Sequence, residues 1–97
     1  MNRPTIYAIT TFPPKGYGEL RTFGYYLYLE DALQAVKENR CNMHESLYMT
    51  LVIEEIPEGI HAMSQSERWF EWDEVAQQWT VGEKPAELRG VTSFAMG

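Results

Sequence analysis

Only one cysteine, Cys41, stands in the 97-residue chain, so no disulfide can form within it, and the thiol count matches a reducing compartment. Long apolar runs are missing too. The longest, YYLYL at 25 to 29, falls far short of the roughly 20 residues a membrane-spanning helix needs. MNRPTIYAITTF, with Pro4 inside it, has no apolar stretch leading to a small-residue cleavage site, so no secretory signal is expected and the reading is cytoplasmic. Bases are scarce, eight against fourteen acids for a net charge of −6. The deficit is local. Residues 1 to 53 balance five acids with five bases, whereas residues 54 to 87 set nine acids against Arg68 and Lys84. Such a surface repels phosphate backbones, which excludes direct nucleic-acid binding as the expected function.

Catalytic and cofactor signatures are equally thin. His44 and His61 lack metal-ligand spacing and one cysteine cannot complete a zinc site with them, so no metal and no cofactor are expected. Cys41, His44 and Glu45 supply residue types for a nucleophilic arrangement, but nothing resembling an oxyanion hole accompanies them, and Cys41 reads as a small half-buried residue near a helix end. The sequence therefore reads as a non-enzyme. Gly16-Tyr17-Gly18 is not a dinucleotide fingerprint, because strand rather than helix follows it. With twelve glutamates in the chain, Glu54-Glu55, Glu71, Asp73 and Glu74 read as a solvated acidic face before they read as an acid/base pair.

What is present is apolar patterning: 44% of the residues are hydrophobic, too many for a disordered chain, and the length suits one domain over 1–97. Residues 5 to 12, TIYAITTF, are β-branched and aromatic and stop at Pro13-Pro14; this is a strand with a hard end. Residues 21 to 28 read as a second strand, hairpinned to the first, with Gly24 as a bulge or a close backbone approach. From 29 to 40, Leu29, Ala32, Leu33 and Val36 recur at helical spacing, with Glu30 and Asp31 early, Lys37 and Arg40 late, and Asn39 or Asn42 suited to the exit. Residues 46 to 56, SLYMTLVIEEI, are apolar on both faces and belong in the middle of a sheet.

The acidic, tryptophan-rich stretch at 67 to 79 resolves into a hairpin. With 74 to 77 as its loop, strand 67 to 73 pairs with 78 to 82, placing Trp72 opposite Trp79 and Phe70 opposite Val81 in the core. Alternation then sends Trp69, Glu71, Asp73 and Thr80 to the opposite face. A last edge strand is expected at 91 to 96. The fold expected is α+β: a five- or six-stranded, mostly antiparallel, curled sheet with one α-helix on one face. A helix of about 11 residues is roughly 16 Å long, against about 24 Å across five strands. It cannot roof them. Curling, a lid of loops, a partner or a second copy must take the remaining apolar area.

Two sites follow from this reading. Trp69 with Glu71, Asp73 and Thr80 forms an aromatic surface flanked by carboxylates, suited to a cationic group on a protein partner or to a homodimer; its alternative is that another segment covers Trp69. Acidity favours a basic partner, and a nucleic-acid-mimicking inhibitor of the phage type is one form such a binder takes. The second site is a small-ligand loop, with Lys15, Tyr17, Arg21 and Tyr25 around a pocket that Tyr7 and Tyr26 help to line, for a nucleotide or metabolite. In the order of its segments, I-Y-x-I-T-T, R-T-F-G-Y-Y, L-E-D-A-L-Q-A-V-K-E-N, L-Y-M-T-L-V-I-E-E-I-P-E-G-I and E-R-W-F-E-W-D, the chain resembles small uncharacterised proteins of gut-type Firmicutes and their mobile elements over residues 5 to 82. The resemblance implies a small bacterial or phage-type accessory domain and carries no site residues.

Overall fold

The structure, a computed structural model, describes residues 5–13, 21–44, 48–58 and 66–84. In chain order the elements are β1 (Thr5–Phe12), β2 (Arg21–Tyr26), α1 (Leu29–Lys37), a 3-10 turn (Arg40–Asn42), β3 (Thr50–Pro57), β4 (Ser66–Asp73) and β5 (Gln78–Val81). The strands form one open antiparallel sheet in the order β2-β1-β3-β4-β5, so the fold is α+β. The doubly apolar strand β3 takes the central position. The expected strand at 91 to 96 lies outside the described residues.

Sequence alternation sorts the two faces. Ile9, Leu51, Ile53, Trp72 and Trp79 point to the side where α1 lays Ala32, Ala35 and Val36, and Met43 joins them. Burying side chains of this kind contributes about 1.5–3 kcal/mol each for Leu and Ile. Trp72 and Trp79 sit opposite each other in register and meet edge to face, with centroids 5.4 Å apart. Helix α1 reaches both edge strands, β2 and β5, as well as β1. It stops at Lys37 rather than at 40 because Asn39 adopts the left-handed conformation (φ 48°), one of the residues that tolerates it at a helix exit.

The face away from α1 corrects an expectation. Ala8, Thr10, Phe12, Val52, Glu54, Ile56 and Trp69 lie there by alternation, and all are buried within the single chain. Phe12, Val52 and Trp69 form a cluster of their own. The sheet centre is thus not left bare for a partner. Cover from within the chain is one of the outcomes that the dimensions of helix and sheet allow. Val81 departs the other way: it pairs with Phe70 as expected, yet it is 83% exposed, being the last residue of an edge strand.

Candidate functional site

The residues chosen for a partner surface turn out to hold the fold. Trp69 is only 8% exposed; its ring lies 5.6 Å from that of Phe12, and its indole N–H donates to Glu67 Oε1 at 3.2 Å. The cation over it is the chain's own Lys84, whose Nζ is 5.6 Å from the ring centroid. Trp69 is therefore no open platform. Asp73 Oδ1 accepts from the backbone N–H groups of Val75 (2.9 Å) and Ala76 (3.0 Å), which fixes the 74–77 turn in the manner of an Asx turn. Thr80 donates its hydroxyl proton to the Glu71 carbonyl at 3.2 Å. Glu71 is exposed, and among the described residues its side chain makes no hydrogen bond.

Of the ligand-loop residues, Lys15 and Tyr17 lie outside the described residues. Arg21 places its guanidinium 4.7 Å over the Phe23 ring, and Tyr25 is 61% exposed. A cleft of about 240 Å³ does open beside β2. Its apolar floor is Ile9, Ala35 and Met43, and Phe23, Tyr25 and Tyr26 contribute aromatic walls. Tyr7 does not line it; the Tyr7 hydroxyl instead donates to Glu55 Oε1 across the strand pair at 3.1 Å. The expected bulge is what shapes the wall: the β1–β2 register slips between Ile9 and Thr10, opposite Gly24, whose φ is 153°.

The turn after α1 closes the cleft with Arg40 and Cys41. Asn39, Cys41 and Asn42 all have positive φ, at 48°, 59° and 50°. A non-glycine residue held there costs about 1–2 kcal/mol, and less for asparagine, whose amide bonds locally, so other contacts fasten the turn. Asn39 is the fastening: its Oδ1 accepts from the His44 backbone N–H (3.2 Å) and the Trp79 indole N–H (3.1 Å), and its Nδ2 donates to Asn42 (3.1 Å). Arg40 donates from Nε to Glu38 Oε1 at 2.9 Å and from Nη1 to the Tyr26 hydroxyl at 3.2 Å. Hydrogen bonds from Gln34 and then Arg40 hold the Glu38 carboxyl below its ordinary range, and Glu38 followed by Tyr26 raises Arg40. Both groups stay charged at neutral pH.

The Cys41–His44 arrangement does not assemble. Cys41 is exposed rather than half-buried. His44 stacks flat on Trp72 with centroids 4.0 Å apart and 9° between planes; its Nδ1 meets the Tyr48 carbonyl at 3.0 Å and its Nε2 lies 3.4 Å from Glu74 Oε1. Both ring nitrogens are thereby engaged elsewhere. Glu45 and His61 lie outside the described residues. Among the described residues no three His, Cys, Asp or Glu side chains gather as a metal site, and no helix is long and apolar enough to cross a membrane.

One surface was read only in part from the sequence, where Tyr25 stood as a ligand-loop residue. Tyr25, Leu27 and Tyr28 are 61%, 61% and 66% exposed where β2 passes into α1. The signal was the run YYLYL, but periodicity alone assigns such residues to a face without saying whether anything covers it. No protein-family model, curated protein or solved structure matches the chain.

Proposed function

We propose that this chain is a binding protein rather than an enzyme, and that it docks a protein partner on the outer side of β2 and the start of α1. One observation carries the reading: of five exposed large hydrophobic side chains among the described residues, three, Tyr25, Leu27 and Tyr28, fall within four positions. Scattered apolar side chains are ordinary on a surface, but a contiguous group marks an interface. Tyrosines suit such a role because they bring large contact area at small entropic cost. Beside them β2 is the first strand in the sheet order, and an edge strand offers backbone groups for pairing.

Charge selects the partner. Glu30 and Asp31, both exposed, stand directly after the patch in the first turn of α1, within a chain of net charge −6. Two copies meeting face to face would bring these carboxylates together, and like charges across an interface cost affinity. A partner with an apolar contact patch and a basic rim meets no such penalty.

Photo-crosslinking in cells tests this. A crosslinking amino acid at position 28 should give a discrete adduct, and the protein identified in it should bind the purified chain. Tyr25→Ser with Tyr28→Ser should abolish that binding while the melting temperature holds. The same crosslinker at Val75, which is 97% exposed but distant in sequence from the patch, is the control. Equal adducts from both positions, or a dimer of the chain as the sole product, would refute the reading.

A further inference from the structure

The cleft beside β2 shares Tyr25 with that outer patch but differs from it in chemistry. Its floor is apolar, one wall is aromatic, and a single guanidinium stands at its edge. Arg40 is already oriented: Glu38 holds Nε and the Tyr26 hydroxyl holds Nη1, so less rotamer freedom remains to be lost on binding. A guanidinium offers five N–H donors, and no hydrogen bond from Nη2 occurs among the described residues. Three N–H groups remain for a carboxylate, one on Nη1 and two on Nη2.

Size narrows the class further. The cleft's volume is about 240 Å³. That is below the roughly 300 Å³ at which drug-sized pockets begin. One six-membered ring with a short carboxylate arm fits that volume. We infer that the cleft between β2 and the 40–43 turn binds a carboxylate carried on a single aromatic ring or an alkyl group of that size, with Arg40 taking the carboxylate, Ile9, Ala35 and Met43 the apolar body, and Phe23 and Tyr26 flanking it.

This chemistry has two sources, a free small acid and the C-terminus of a peptide ending in phenylalanine, and the experiment separates them. Phenylacetate is titrated into the 15N-labelled chain beside its neutral counterpart phenylacetamide, up to roughly 10 mM, well past where a site with a dissociation constant of about 1 mM would fill. Saturable shifts are expected at Gly24, Tyr26 and Cys41, with the amide at least tenfold weaker. Arg40→Gln should weaken phenylacetate at least tenfold. Arg40→Lys, which keeps the charge and loses the fork, and Tyr26→Phe, which frees Nη1, should each weaken it several-fold, so the test survives if one variant fails to fold. Cys41, the only thiol, should be alkylated more slowly as the ligand fills the cleft. A Gly-Gly-Phe peptide that binds more tightly than phenylacetate assigns the site to a protein C-terminus; a weaker one assigns it to a free acid. Equal binding of acid and amide, an Arg40→Gln variant that binds as the parent does, or no saturable shift at the cleft residues overturns the inference.

Discussion

Asn39 shows how much one side chain decides here. It ends α1 in the left-handed conformation, and its amide joins that turn to His44, to Asn42 and to the indole of Trp79 on β5, 40 positions along the chain. Trp79 is 6% exposed, so its N–H has little water to fall back on. Asn39→Ala should therefore cost about 2–4 kcal/mol, combining an orphaned buried donor at about 1–3 with the steric penalty of a Cβ branch that lacks the amide's local bonding at about 1. Asn39→Asp keeps the acceptor for both N–H groups and loses only the bond to Asn42; it should stay within about 1 kcal/mol of the parent. Urea denaturation of the three proteins checks this, and equal losses in the two variants would show that backbone strain rather than the Trp79 bond dominates.

At the scale of elements, local rules were enough wherever an element's ends carry their own chemistry. Pro13 ended β1 at Phe12 as read, the 74–77 turn set the β4–β5 register with Trp72 facing Trp79, and two-sided apolarity put β3 in the centre. What could not be read was exposure, because cover comes from residues far off in sequence: Trp69 and Tyr25 both follow simple alternation, and one is buried while the other projects into solvent. Glycines make a parallel point. A Cβ on Gly24 would meet nothing within 4 Å, yet φ is 153°; a Cβ on Gly82 would come within 3.2 Å of Glu71 Cγ, an exposed and flexible side chain. Space suggests that Gly24 is the safer substitution, and backbone conformation says the opposite. Gly24→Ala should cost about 1–3 kcal/mol by forcing a side chain into a region nearly reserved for glycine, and it should disturb the Tyr26–Arg40 bond at the cleft. Gly82→Ala should fall within about 0.5 kcal/mol, as surface changes do. Thermal melts rank the pair, and Gly82→Ala as the more damaging change would mean that the β2 bulge relaxes freely.

For the molecule as a whole, the issue is which aromatic groups belong to the fold and which are free to bind. Trp69 packs with Phe12 and Val52 on the side of the sheet opposite α1, while Leu27 and Tyr28 stand mostly in solvent. A domain of this size has about 5–15 kcal/mol of stability in all, and removing a buried tryptophan to alanine takes about 3–5. Trp69→Ala should consequently lower the urea midpoint steeply, to the edge of folding, with any loss of binding following from the loss of structure. Leu27→Ser with Tyr28→Ser should leave the midpoint within about 0.5 kcal/mol per site, so that a binding defect there reports on the interface itself. Circular dichroism reads both without relying on tryptophan emission. If Trp69→Ala unfolded at the parent's urea concentration, the face opposite α1 would contribute nothing to stability. The docking surface would then have to be sought across the sheet instead of along its β2 edge.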